Sequence, residues 1–567
     1  MIQEFFFFDL YDFPASEFFQ GYAFQNDQLI RSDTDRVDSV PSGQDGAYVT
    51  CFAHEGRLRL GVDYQGAARL YLYRSPRDKK YWAISNSLQL LIKNLHERKR
   101  PMNLLKDVFT SWSGHGEFLQ QMTSFESFVK EISLLPRWLD LELTPSRDGK
   151  SCQIGLVRCP TYRLKENVSY EAALRDYLVS WHKRIPSLLM HTRAAQVDLS
   201  GGLDSRTVFS LFKPFLDAGT FKDRLVVFSV KPEQAPKDFQ IARTITTDLG
   251  FDLSCDYVTA SRSTLPSLDE TFSRWENNRL GQYHLGAFLT TSSIIGEDRM
   301  RFVGVGGEQY RPFFNEWSRD LDCCLDVRRK FFPKPKKLGT FKSRLAKMTG
   351  SNKDLFEQFA KRVNASADMI SRENDLLGQD RMTLHYREFR NRFHFGVPAT
   401  ETMTFAPLSG VLMDQLAGSA PSDYLKNKQI FYDVMANSCP QLLEAPFDRD
   451  DKVPTSENLD RITTLSNLTS PSLPREALEQ VDTFQETQER GVPQDRLMQN
   501  AQDIMEEMLR RVMDSRKHCP DSIRFDHEKE RNMIKDAIPN GRLVDGKAMR
   551  YFHFISLCHT AKTFGIS

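Results

Sequence analysis

Ala195-Gln196-Val197-Asp198-Leu199-Ser200-Gly201-Gly202-Leu203-Asp204-Ser205 is the stretch that decides the fold. Ala195 to Leu199 reads as a short strand, Ser200 to Asp204 as a Gly-containing turn, and Ser205 to Leu216 as a helix. A helix start presents backbone N–H groups, and two glycines leave no Cβ in front of them, which makes a cradle for phosphate oxygens. Ser200 and Ser205 add hydroxyl donors. A carboxylate beside a phosphate is repulsive, so Asp204 is explained by a Mg²⁺ between the two. The Gly-Lys-Ser/Thr ending of the commoner phosphate loop is absent.

Working outward, Tyr170 to Leu189 has a helical pattern, Arg224-Leu225-Val226-Val227-Phe228-Ser229-Val230 is a strongly apolar strand, and Asp238 to Gly250 reads as a helix ending at a glycine cap. Arg301-Phe302-Val303-Gly304-Val305 is a third strand-to-loop junction. Strands alternating with helices predict a parallel sheet with helices on both faces. Before residue 160 the pattern is different. Ala47 to Ala53, Arg57 to Val62, Arg69 to Tyr73 and Tyr81 to Ser85 are short apolar or alternating runs between polar and Gly breaks, a meander of half-buried strands, followed by a helix from Ser87 to about Leu95. Residues 340–400 and 470–567 read as helical and charged, and Thr464 to Pro474 as a linker.

At about 100–200 residues per domain, 567 residues make two to four domains. Lys and Arg (76) balance Asp and Glu (75), so no global basic field argues for nucleic acid or an anionic membrane. No apolar run reaches membrane-spanning length, and the N-terminus lacks the charge and apolar core of a signal peptide. Nine cysteines without metal-ligand spacing, among them the adjacent Cys323 and Cys324, read as reduced thiols of a cytoplasmic protein.

The string S-G-G-x-D-S at 200–205 resembles the signature of the PP-loop ATP pyrophosphatases, which cleave ATP to AMP and pyrophosphate. Phe228-Ser229-Val230, Asp238-Phe239, Ala242-Arg243 and Leu249-Gly250 narrow the resemblance to the asparagine synthetase-like family, with Val230 at the position whose backbone contacts adenine. Phe302 to Gln309 is similar to that family's second phosphate-side loop, G-x-G-S/G-D-E: Gly304, Gly306 and Gly307 fit, while Glu308 stands for Asp and Gln309 for Glu. The resemblance implies an ATP and Mg²⁺ site in which Leu199, Ser200, Gly201, Gly202, Asp204, Ser205, Val230, Gly304, Gly306 and Gly307 bind nucleotide and Asp204 and Glu308 hold the metal.

Asp45-Gly46-Ala47-Tyr48, Gly61-Val62-Asp63, Leu70 to Tyr73 and Ala83 to Ser87 resemble the end of the same family's class II glutamine amidotransferase domain. That family's nucleophile is an N-terminal cysteine. Here residue 2 is Ile2 and the first cysteine is Cys51, in an expected strand, so a terminal thiol with its own amine as base is not assembled and no glutaminase step is expected. The resemblance implies a degenerate amidotransferase-like α+β sandwich of the Ntn-hydrolase type at 1–165, an α/β PP-loop synthetase domain with added helices at 166–460, and a helical extension at 461–567 packed on the synthetase domain. It fades beyond about Asn458.

The implied chemistry is adenylation of a carboxylate, followed by attack of an amine or ammonia to give an amide. An internal amine would make the enzyme a cyclase, like β-lactam synthetases and lasso-peptide cyclases. The partners implied are a small-molecule or peptide carboxylate and, as often in the family, a second copy of the chain in a homodimer; no nucleic acid or membrane is implied. Besides Asp204, the catalytic candidate is Lys452, downstream of Pro440 to Phe447, with Lys426 and Lys428 as rivals for a lysine near the α-phosphate. Phe405 to Ser409 resembles the family's R-x-P-F-L-D segment, with Glu401 nearby. Tyr386 to His394, basic and aromatic, reads as the charged face of an amphipathic helix or as a site for an acidic substrate. The alternative class is a non-catalytic ATP-binding protein on a decayed scaffold. RNA thiolation would need cysteines placed for sulfur transfer or a basic surface, and neither is visible.

Overall fold

The computed structural model describes residues 4–32, 39–112, 122–192, 194–217, 224–233, 235–255, 299–311, 353–374, 381–401 and 403–466, with isolated positions such as Gln379 and several within 557–566. The architecture is mixed α and β, and the described strands form three sheets.

The first region holds β1 (Phe7–Asp9), β2 (Phe18–Gln25), β3 (Gln28–Arg31), β4 (Gly46–His54), β5 (Arg57–Val62), β6 (Tyr71–Arg74), β7 (Trp82–Ser85), β8 (Ile132–Leu134), β9 (Leu139–Pro145) and β10 (Cys152–Arg158). They pair antiparallel in two sheets, β1-β7-β6-β8 and β10-β9-β5-β4-β2-β3. Val49, Cys51, Leu60 and Val62 of one sheet share a core with Tyr71, Leu72, Ala83 and Ile84 of the other. The helix Leu88–Glu97 closes one side; Ser87 Oγ caps it by accepting from the Leu90 N–H at 3.2 Å, and Leu88, Leu91, Ile92 and Leu95 are its buried stripe.

The second region is built on five parallel strands: β11 (Ala194–Asp198), β12 (Leu225–Phe228), β13 (Leu253–Ser254), β14 (Arg299–Phe302) and β15 (Met403–Phe405), in the order β13-β12-β11-β14-β15. The chain runs outward from β11 to β13, then returns to the other side of β11. The boundary between β11 and β14 is therefore a switch point, where crevices open at the carboxyl ends of strands.

In-register neighbours share a face. Ala195, Val197, Met300, Phe302, Met403 and Phe405 belong to the apolar core of this region. The opposite face of the same strands carries Gln196, Asp198, Arg301 and Thr404. Parallel strands buried on both faces read as continuous apolar runs; here one face is polar, and it joins the cavity described below.

Two expected elements are broken or cut short. The helix expected over Ser205–Leu216 is two pieces, Leu203–Ser210 and Lys213–Asp217, because Pro214 has no N–H to give to the Ser210 carbonyl. The strand expected over Arg224–Val230 pairs only over Leu225–Phe228. At the C-terminal positions described, Leu557, Ala561 and Ile566 join a core cluster that holds residues of the first region and also Ile370, Leu384, Phe389 and Phe393, and Thr560 Oγ1 donates to Gln89 Oε1 at 3.1 Å. The remainder of 467–567 lies almost wholly outside the described residues. No described helix is long and apolar enough to cross a membrane.

Candidate functional site

A cavity of ≈ 410 Å³ opens at the switch point, within the ~300–1,000 Å³ range of small-molecule pockets. Leu199, Ser200, Gly202, Asp204, Ser205, Val230, Gly304 and Glu308 line it, together with Asp198, Arg301, His394, Phe395, Pro398 and Thr404. Arg301 and Asp198 form a forked ion pair on its wall (Nε to Oδ1 3.2 Å, Nη2 to Oδ2 2.6 Å), steadied by Gln196 Nε2 donating to Asp198 Oδ1 at 2.7 Å. The first loop sits at the end of the central strand β11, and the second at the end of β14.

The first loop is already tied together. The Ser200 N–H donates to Ser205 Oγ (3.1 Å), the Gly201 N–H to Asp238 Oδ1 (3.0 Å) and the Gly202 N–H to Ser200 Oγ (3.1 Å). The two serine hydroxyls lie 2.8 Å apart. The glycine amides expected to face a phosphate are thus already bonded, one within the loop and one to Asp238 of the helix Pro236–Asp248. The N–H groups of Leu203, Asp204 and Ser205, which helix geometry leaves without intrahelical partners, are the donors left for an anion.

The second loop docks onto Asp204. A Cβ on Gly307 would lie 2.3 Å from Asp204 Oδ1, and one on Gly304 would lie 2.7 Å from the Ser205 nitrogen. Gly306 turns at φ +99°, a left-handed conformation, with Ser409 Oγ against it. Ser409 belongs to the Phe405–Ser409 segment; its Oγ accepts from Asn391 Nδ2 at 2.9 Å and from Gln309 Nε2 at 3.4 Å. Gln309 is thus a buried support. Glu308 is half-buried, and its Oε2 accepts from the Gly306 N–H at 3.2 Å. Burial, and then the nearby charge of Asp204, raise the Glu308 pKa above the usual carboxylate range.

Lys452 comes to the first loop. Its ammonium lies 3.8 Å from where a Cβ on Gly202 would stand and donates to Asp448 Oδ2 at 2.8 Å. The Asp448 N–H in turn donates to the Gly201 carbonyl at 3.0 Å. The segment carrying them is clamped by buried Arg206, whose Nη1 donates to the carbonyls of Leu442 and Ala445, each at 3.0 Å, and whose guanidinium stacks 3.7 Å over the Phe447 ring. Lys426 is exposed, whereas Lys428 donates to the Asp451 carbonyl. Burial pulls the Lys428 ammonium pKa down; Asp451 opposes this, while Arg311, Arg449 and Lys452 add to it.

Sequence reasoning passed over Arg206 and Arg311, and read Asp238 and Asp448 only as parts of flanking segments. Arg311 follows the second loop and forks onto Asp204. Its only sequence signal was its place directly after that loop. Tyr386–His394 is corrected more sharply. A π-turn over Arg387–Asn391 interrupts the helices Arg381–Tyr386 and Arg392–Glu401, and Arg387, Glu388, Asn391 and Arg392 are all buried rather than on a charged outer face. Glu388 pairs with Arg392 and Arg137, each at 2.9 Å. The side chain of Glu401 lies outside the described residues.

In the first region, Cys51 is a fully buried member of β4, and burial pushes its thiol up to about 12. Cys152, Cys159 and Cys439 are free and buried, and Cys255 is free and half-buried; Cys323 and Cys324 lie outside the described residues. Among the described residues no group of three or more His, Cys, Asp or Glu side chains could hold a metal. Asp204 and Glu308 are two carboxylates beside a cavity. That set suits Mg²⁺, which takes one or two carboxylates and completes its shell with waters and substrate phosphates.

No protein-family model matches the chain, and no curated protein matches it.

Proposed function

We propose that this chain is an ATP-dependent amide-bond-forming synthetase of the asparagine synthetase-like type, acting without a glutaminase of its own. The observation that carries the reading is the docking of the two glycine loops around Asp204, with Lys452 beside the first, at the mouth of the switch-point cavity. In this reading the five-stranded sheet is a PP-loop domain and the antiparallel sandwich an amidotransferase-like scaffold.

A carboxylate is a poor acyl donor. Its oxygen attacks the α-phosphorus of ATP, the bond to the β-phosphate oxygen breaks, and pyrophosphate leaves. An amine or ammonia then attacks the acyl carbon, AMP departs, and the amine gives up a proton. The helix amides at Leu203 to Ser205 and the Lys452 ammonium hold negative charge as it moves from the α-phosphate to pyrophosphate. Val230 and Leu199 line the cavity and in this reading would face adenine, while Arg301, Asp198, His394 and Thr404, also in its lining, would face the acyl group. Mg²⁺ held by Asp204 and Glu308 would neutralise the leaving pyrophosphate.

The test is direct. Purified chain, ATP, Mg²⁺ and candidate acids with amines are incubated, and AMP, pyrophosphate and a product lighter than its parts by one water are sought by mass spectrometry. ATP that is bound yet never cleaved to AMP and pyrophosphate with any acid would favour the second reading, a nucleotide-binding protein without turnover. One observation speaks for that second reading: Asp204 is already engaged by Arg311.

A further inference from the structure

The second loop is held from behind by the antiparallel sandwich, along two separate routes. The first starts at Tyr64, just after β5. Its hydroxyl donates to Asp414 Oδ2 at 2.7 Å, and the hydroxyl of Tyr310, which closes the turn Gly307–Tyr310, donates to Asp414 Oδ1 at 2.6 Å. All three side chains are buried. Arg387 pairs with the same carboxylate and makes its burial tolerable. One carboxylate thus joins the sandwich to the loop.

The second route starts at Asp45, directly before β4. Its Oδ1 accepts from the Val411 N–H at 2.8 Å, one of the donors that the start of the helix Val411–Ser419 leaves without an intrahelical partner. Its Oδ2 accepts from Arg184 Nη1 at 2.8 Å, so both oxygens are fixed. A Cβ on Gly410 would lie 2.7 Å from Asp45 Oδ1, and one on Gly306 would lie 2.8 Å from the Leu408 carbonyl. Leu408 to Val411 is therefore a wedge without slack, with the sandwich on one side and the second loop on the other. The loop's far side is Gly307 against the Asp204 carboxylate, again with no room for a Cβ. Close-packed interiors pass a displacement on rather than absorb it. Resting on the reading of this site as one for Mg²⁺ and nucleotide, we propose that Tyr64 and Asp45 are positioning residues that set the second loop against Asp204, so that the sandwich is a working half of the phosphate site.

The experiment measures binding of inorganic pyrophosphate with Mg²⁺ by calorimetry, on the full chain and its variants. Tyr64→Phe should weaken binding about 5-fold and Tyr310→Phe about 10-fold. The double variant should be no weaker than Tyr310→Phe within about 2-fold, because both hydroxyls act through Asp414. Asp45→Ala should weaken binding about 5-fold and add to Tyr64→Phe, because its route is separate. Ile92→Val thins the sandwich core away from both routes and should leave binding unchanged. Unchanged binding in Tyr64→Phe, additive losses in the two tyrosine variants, or a loss in Ile92→Val equal to that in Tyr64→Phe overturns the positioning role of Tyr64 and leaves the nucleotide site standing. Unchanged binding in Asp45→Ala does the same for Asp45, and the tyrosine variants decide the proposal if Asp45→Ala does not fold. A parent chain that binds neither pyrophosphate nor ATP with Mg²⁺ overturns the nucleotide-site reading and this proposal with it.

Discussion

Two arginine–aspartate pairs lie close together in this molecule and serve different ends. Arg311–Asp204 is the more open of the two, with exposures of 9% and 16%, and Asp204 lines the cavity. Arg387–Asp414 is enclosed, with exposures of 3% and 1%. Asp414 also accepts from Tyr64 at 2.7 Å and from Tyr310 at 2.6 Å. Tyr64 comes from the first region, Tyr310 from the second loop and Arg387 from the π-turn, so the enclosed pair ties three parts of the chain together. Tyr310 and Arg311 are consecutive: one anchors the loop in the interior, and the other holds the Asp204 carboxylate. The lesson is that burial, not the pairing itself, separates an ion pair that holds the architecture from one that borders a cavity.

The sharpest way to break that comparison is to truncate the enclosed aspartate. Asp414→Ala leaves Arg387 charged and buried and takes the acceptor from two tyrosines. Removing one partner of a buried pair costs about 3–5 kcal/mol, so denaturant unfolding should show a loss of that size. If Asp204→Ala costs as much, the distinction between the two pairs is lost.

The converse concerns turnover. Asp204→Asn should lower ATP cleavage to AMP and pyrophosphate by at least about 100-fold, with a smaller loss of global stability than Asp414→Ala. Lys452→Met follows: it removes a charge beside the first loop and should lower the same rate by roughly 100-fold, with ATP binding weakened less than turnover. A Lys452→Met variant that loses ATP binding and turnover equally would assign the lysine to ground-state binding.

What the residues announced in advance were local features. Ser87 before an apolar stripe gave the helix Leu88–Glu97, and the alternation Arg57–Val62 gave β5 to the residue. The loop at 200–205 announced itself because strand, glycines and helix start are contiguous. What stayed hidden depends on distant partners. Nothing near Arg311 says that it reaches Asp204, 107 positions earlier. Tyr386–His394 looked like a solvated face because its charges are dense. Only the π-turn, with Glu388, Arg137 and Asp414 brought to it, makes burial of those charges tolerable. The break before Lys213 was readable from Pro214, whose missing N–H is a property of one residue.

A third buried carboxylate sharpens the comparison from the other side. Asp140 of β9 has its Oδ2 bonded to Ser42 Oγ at 2.8 Å, and its Oδ1 has no hydrogen-bond partner. Burial pushes it up to about 7, although the Ser42 hydrogen bond and the charge of Arg59 both pull the other way. An unfolded aspartate titrates near pH ~3.9. Between those two values the folded chain holds a proton that the unfolded chain has released, so stability is full below pH ~4, falls as pH rises toward 7 and levels off above it. Asp140→Asn keeps the size and the Ser42 contact but cannot ionise. It should leave stability at pH 4 nearly unchanged and raise it at pH 8 by about 1–2 kcal/mol, removing that part of the decline. Denaturant midpoints of the two chains at pH 4, 6 and 8 decide the matter: parallel decline in both would place the titration elsewhere. A gap that opens only above pH 4 would show that a buried carboxylate without an arginine clasping it is held neutral.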